Sequence, residues 1–265
     1  MNQGPTRISV VSYLNAKPFL YGLEQMGNAA AFSISSDIPS VCASKLIHDE
    51  TDIGLIPVAM LSALKESHII TSYCIAADGP VESVVLVSQV PLEEISQVIL
   101  DMESRTSVLL VKILAEELWG IHPEWIKQEG HHSFENAEST VSAVMIGDKA
   151  LKYKSKYRYC YDLSEGWKTL TGLPFVFAIW ASNKNIDPAI ISQLEHAFSV
   201  GTNSIDRLVT DLEKDYPETD ILNYLTQKIR YTLGNKEMEA LQSFLSKAQR
   251  FQQPDSGAVI STGIK

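Results

Sequence analysis

Basic residues are scarce in this chain, cysteines are few and long apolar runs are missing. Lys and Arg number 22 against 32 Asp and Glu, a formal net charge of −10 at pH 7. A general nucleic-acid binder needs a basic face, so this balance argues against nucleic acid as a partner. The longest apolar runs, such as Ile53 to Met60, fall far short of the roughly 20 residues that cross a bilayer. The N-terminal apolar stretch is only Ile8 to Val11, interrupted by Ser9, and gives no secretory signal pattern. A cytoplasmic, unprocessed chain is the expectation. Cys42, Cys74 and Cys160 are widely spaced and odd in number, with no CxxC pair, so neither a zinc knuckle nor a redox dithiol is supported. Three buried free thiols are expected. No GxGxxG or P-loop pattern occurs, which removes the usual nucleotide cradles, and no GxSxG elbow occurs.

What is present is a core-forming chain of 265 residues, 45% hydrophobic, long enough for one large domain or two small ones. Strand and helix signals alternate from the start. Arg7–Ser12 reads as a strand and Ala16–Gln25 as a helix, with Pro18 tolerated in its first turn. Ala31–Ser35, Asp52–Ile56 and Ile69–Ala77 read as further strands. A helix between them has Pro39 near its start and Ser36 or Asp37 as its cap. This βαβαβ rhythm predicts a mostly parallel sheet covered by helices.

The middle of the chain repeats the theme. Val81–Ser88, Gln97–Leu100, Val141–Ile146 and the aromatic run Pro174–Ala181 read as strands, and Thr106–Trp119 as a helix. From Asp187 onward apolar residues recur at helical spacing, predicting four helices, the last capped by Asn235. The polar tail from Gln252 is expected to fray. Two α/β units followed by helices predict two lobes: residues 1–83 plus 182–265, and residues 84–181. The runs Val81–Ser88 and Phe175–Ala181 are the expected crossings. A ligand would sit in the cleft, where strand ends and helix starts converge.

Several short motifs then read together: Ser12-Tyr13-Leu14-Asn15-Ala16-Lys17-Pro18, Asp52-Ile53-Gly54-Leu55-Ile56-Pro57-Val58-Ala59, Val81-Glu82-Ser83-Val84, Ser104-Arg105-Thr106-Ser107, Ile146-Gly147-Asp148, and Gly172-Leu173-Pro174-Phe175-Val176-Phe177-Ala178. In this order and spacing, from about Ile8 to Ser182, the chain resembles the chorismate dehydratase family of the futalosine route to menaquinone. The resemblance implies an α/β, type II periplasmic-binding-protein-like fold, with two lobes, two hinge strands and a deep cleft. It implies a cofactor-independent lyase acting on a small dianion, with no metal required. A sister family, the 1,4-dihydroxy-6-naphthoate synthases, shares the fold but lacks SYLNAKP and uses a cleft histidine. The strand end here reads Ile146-Gly147-Asp148 and favours the dehydratase. A non-catalytic solute-binding or sensor protein of the same fold stands as the alternative. The oligomeric state is left open.

The resemblance makes Asn15 the polar residue closest to the chemistry; outside the SYLNAKP context it reads as a turn or capping asparagine. A neutral amide is no strong base, but it hydrogen-bonds a developing anion or a leaving hydroxyl. The resemblance also implies that a substrate carboxylate itself takes the ring proton. Ser104, Thr106 and Ser107 lie at a helix start, where free N–H groups and hydroxyls suit a carboxylate; Ser104 also reads as a plain N-cap. Arg105 either pairs with the dianion or is a solvated helix residue. Ser83 faces the ligand in the family pattern or is an ordinary sheet serine, with Glu82 on the opposite face of a regular strand. Gly147 permits close backbone approach, and Asp148 either contacts ligand or caps the next helix. Pro57 and Val58 are read as cleft wall, and Phe175, Phe177 and Trp180 as core. His131-His132 reads as an exposed loop, since a metal site would need acidic or cysteine partners at fitting spacing.

Overall fold

The computed structural model describes residues 4–27, 32–127, 140–217 and 219–251. Ala31, His131-His132 and the tail from Gln252 lie outside the described residues. Two mixed sheets, each flanked by helices, form an α/β architecture of two lobes.

The first lobe opens with strand β1 (Thr6–Val11), helix α1 (Lys17–Gln25), β2 (Phe32–Asp37), α2 (Pro39–Ile47), β3 (Ile53–Pro57) and β4 (His68–Ala77). The chain then enters the second lobe with β5 (Val84–Ser88), β6 (Gln97–Leu100), α3 (Arg105–Leu114), β7 (Glu124–Lys127), β8 (Val141–Ile146), α4 (Gly147–Tyr153), β9 (Tyr159–Asp162) and α5 (Leu163–Thr171). It returns as β10 (Phe175–Ser182), α6 (Pro188–Thr202), α7 (Ile205–Leu212), α8 (Ile221–Asn223), β11 (Arg230–Thr232) and α9 (Asn235–Ala248).

The six-stranded sheet has the order β11-β4-β10-β3-β1-β2, and the five-stranded sheet β7-β6-β8-β5-β9. Neither is mostly parallel, contrary to the expectation from the βαβαβ rhythm. The pairs β1·β2 and β1·β3 are parallel, as are β6·β7 and β6·β8. The strands next to the crossings break the pattern. β10 returns between β3 and β4 and runs antiparallel to both, and β5 runs antiparallel to β8 and β9. β10 thus belongs to the six-stranded sheet, so residues 175–181 do not follow the expected second lobe, 84–181. The crossings are the short links at 78–83 and 172–174 rather than the strands themselves.

Local chemistry explains the elements. Every residue of β3 is buried, which matches its continuous apolar run between two neighbours. α1 carries Pro18 at its N-terminus, where no hydrogen bond is lost, and buries Phe19 and Leu23. Gly22 and Gly201 let α1 and α6 touch: a Cβ on Gly22 would lie 1.9 Å from the Ala197 carbonyl oxygen. Phe19, Trp180 and Phe198 pack beside that crossing with centroids 4.4–5.6 Å apart. Asp187 caps α6 by accepting from the Ala189 N–H.

Three expectations need correction. α2 begins after Ile38 with no side-chain cap. Asp37 is drawn away by Lys45, Ser9 and Ser35, whose donors lie 2.6–2.8 Å from its carboxylate. The cap of α9 is Gly234 rather than Asn235, with the Glu237 carboxylate accepting from the Gly234 N–H. Cys42 and Cys74 are buried free thiols, but Cys160 is exposed on β9. Among the described residues no helix is long and apolar enough to cross a membrane.

Candidate functional site

Residues of both lobes line a cleft with about 510 Å³ of empty space, part of it open to solvent. Asn15 reaches it from the short helical turn Leu14–Ala16 that follows β1. Pro57 ends β3, Ser83 lies in the first crossing, Ser104 and Ser107 open α3, and Gly147 follows β8. All six line the cavity, with Val11, Tyr13, Pro39, Ile75, Val81, Val84, Ile146, Phe177 and Ala178. None of the described residues lining it is Asp, Glu, His, Lys or Arg, so from these residues an anion meets hydroxyls, amides and backbone dipoles.

One pole of the cleft is built from the chain's C-terminal third. After α8, a wide helical turn spans Tyr224–Lys228, closed by the Ile229 N–H on the Tyr224 carbonyl at 3.1 Å. Such turns occur frequently at functional sites. The turn delivers the buried Tyr224 hydroxyl, which donates to Ser83 Oγ at 2.8 Å and lies beside the Asn15 side chain. Tyr231, on β11, donates to the Asn15 carbonyl oxygen at 3.0 Å. Burial pushes the pKa of both phenols up, so they stay protonated donors. Stranding one of these hydroxyls without a partner would cost about 1–3 kcal/mol.

The other pole is local. Ser104 is the N-cap of α3; its Oγ accepts from the Ser107 N–H at 3.4 Å and the Ser107 hydroxyl at 3.2 Å. Just before it, the Asp101 side chain is buried, with one carboxylate oxygen holding the Glu103 N–H and the other 3.5 Å from the Lys149 ammonium. Burial raises the Asp101 carboxyl above its ordinary range.

Between the poles the lobes are tied together. The Tyr13 hydroxyl donates to Glu103, and its ring covers Gly147. Gly147 has φ +59°, and a Cβ there would sit 2.7 Å from the Tyr13 ring. The Gly147 N–H donates to the Ser83 carbonyl at 2.7 Å.

Four residues expected at the site do not line the cavity. Thr106 is buried and accepts from the Ala59 N–H at 3.2 Å, so its hydroxyl joins the lobes. Arg105 is exposed on the first turn of α3 and is not among the residues that line the cavity. Val58 is buried beneath the wall. Asp148 neither lines the cavity nor caps α4; its two oxygens accept from the Leu14 N–H at 2.9 Å and the Tyr216 hydroxyl at 2.7 Å. The strand expected to turn Glu82 away from Ser83 is broken there. Glu82 has φ +67° and pairs with Lys154 and Lys228.

Phe177 was assigned to the core, yet it lines the cavity edge-to-face with Phe175. Phe175 and Trp180 are indeed buried. Tyr13 lies within SYLNAKP, although nothing there marks it as a lining residue, and Tyr224 and Tyr231 carry no signal in their local sequence. Among the described residues no group of three or more His, Cys, Asp or Glu side chains is placed to hold a metal ion.

The comparisons with known proteins agree with this architecture. The chorismate dehydratase of Thermus thermophilus is 26% identical over 259 residues, covering 86% of this chain and 94% of that protein. A protein of Archaeoglobus fulgidus superposes with a TM-score of 0.75 at 12% identity, covering 95% of this chain and 99% of the other. A Candida albicans gene product with the generic periplasmic binding protein fold superposes with a TM-score of 0.68 at 9% identity, covering 96% and 92%. The two-lobed fold is therefore that of the periplasmic binding proteins. The family model described as menaquinone biosynthesis matches residues 6–250, nearly the whole described chain, and the protein belongs to that family.

Proposed function

We propose that this chain is a chorismate dehydratase, a hydro-lyase that converts chorismate to 3-[(1-carboxyvinyl)oxy]benzoate and water without a cofactor. The observation that carries the reading is the convergence of Asn15, Ser83, Ser104, Ser107 and Gly147 on one cavity whose described lining includes no charged side chain. The likeness to the Thermus thermophilus chorismate dehydratase supports it.

Chorismate carries two carboxylates, a ring hydroxyl and an enolpyruvyl ether. The reaction breaks a ring C–H and the C–O bond to the hydroxyl. The C–H electron pair enters the ring, the hydroxyl leaves with a proton as water, and aromatisation drives the step. In this reading Ser104, Ser107 and the first N–H groups of α3 hold one carboxylate. Ser83 donates to the substrate, and the Asn15 amide stabilises the departing hydroxyl or the charge that develops on the ring. Among the described residues the lining offers no carboxylate, imidazole or amine as a base, and burial keeps the Tyr13 phenol protonated. The second substrate carboxylate, held close to the ring hydrogen, takes that proton.

The test is incubation of purified protein with chorismate in chelator-containing buffer, followed by mass spectrometry. A product lighter by one water, absent without protein, is expected. Unchanged chorismate bound by the protein would point instead to a solute-binding role.

A further inference from the structure

We propose that Tyr224 is a positioning residue for this reaction, orienting both Asn15 and Ser83; the inference rests on the catalytic reading above. Its side chain is buried, its hydroxyl donates to Ser83 Oγ at 2.8 Å, and the Asn15 side chain lies beside it. A phenol has one hydrogen. Donated to Ser83, it occupies a lone pair of Oγ and leaves the serine's own hydrogen to be given elsewhere. Among the described residues Ser83 Oγ donates to no other atom, so that hydrogen is free for a ligand oxygen in the cavity. A phenol oxygen that gives its hydrogen to Ser83 keeps lone pairs, and in this proposal one of them takes an amide hydrogen of the neighbouring Asn15, which would set the orientation of that amide. One hydroxyl thus selects the donor sense of Ser83 and the orientation of Asn15.

The placement has a structural origin. The wide turn at Tyr224–Lys228 inserts Tyr224 between the segment after β1 and the first crossing, two strands of the chain joined by no direct pairing at that level. Tyr231 fixes the Asn15 main chain from the other side. The backbone is held by one tyrosine and the reacting amide by the other.

Tyr224→Phe removes the hydroxyl and keeps the ring. Its kcat on chorismate is expected to fall at least about tenfold, with KM changed less than threefold. Added to Ser83→Ala, the same substitution should cost less than it costs alone, because one of the two groups it orients is already gone. Turnover in Tyr224→Phe within twofold of wild type, or losses that simply multiply in the double variant, would overturn the proposal. If wild-type protein leaves chorismate intact, the dehydratase reading falls, and Tyr224 is decided without any ligand. The Asn15 side-chain amide signals, assigned by their loss in Asn15→Asp, should be protected from hydrogen exchange in wild type. In Tyr224→Phe they should shift and lose that protection. Unchanged signals would remove Tyr224 from its positioning role.

Discussion

At one end of the cleft, Ser104 and Ser107 hold each other across three residues of sequence. At the other end, Asn15 and Ser83 are held by tyrosines lying 216 and 141 residues further along the chain. The serine pole is made of a helix start, and its geometry comes with the helix. The asparagine pole exists only once the C-terminal segment has returned to the first lobe and β11 has paired with β4. A carboxylate needs donors, which any helix start supplies. A transition state needs one amide in one orientation, and that orientation requires groups brought from elsewhere in the fold.

The largest effect should come from the tyrosine-held pole. Asn15→Ala is expected to keep the fold and lose about 100-fold or more in kcat, the scale on which a single transition-state donor acts. The next should come from the seam between the poles. Gly147→Ala forces a side chain into φ +59°, costing roughly 1–2 kcal/mol. It also drives a Cβ into the Tyr13 ring. Turnover should fall about tenfold, with a lower melting temperature in calorimetry. A wild-type-like Gly147→Ala would mean that the lobes need not meet there.

The smallest effect belongs to the serine pole and concerns pH. The folded chain keeps a proton on Asp101 that the unfolded chain releases near pH ~3.9. Stability from this site is therefore greatest in acid and is lost as pH rises from about 4 through the raised folded value. Asp101→Asn should remove that loss. Urea unfolding of the two proteins between pH 4 and 7 should show the variant gaining relative stability as pH rises. A constant difference would mean that Asp101 is an ordinary carboxylate.

The same contrast explains what the sequence made legible. Ser104, Ser107 and Gly147 could be read because the motifs that place them are contiguous. SYLNAKP likewise announced Asn15, and the apolar run of β3 announced a buried strand. Asp148 and Thr106 sat within motifs but turned out to tie the lobes together, because their partners, Tyr216 and Ala59, are far away in sequence. Tyr224 and Tyr231 stayed hidden for the same reason: nothing near them marks a buried hydroxyl that must find an acceptor across the molecule. The mixed sheets escaped notice because strand direction is decided by the crossings at 78–83 and 172–174, which have no periodic pattern of their own. The short, polar β9 and β7 offered too little apolar alternation to be recognised.

The claim that the two poles divide the work is tested most directly by measuring kcat and KM on chorismate for Asn15→Ala and Ser104→Ala side by side. The account predicts that kcat collapses in Asn15→Ala with KM little changed. Ser104→Ala should keep most of kcat, raise KM several-fold and lose about 1 kcal/mol of stability from the missing cap. The reverse pattern, with kcat lost at Ser104 and only KM altered at Asn15, would contradict it.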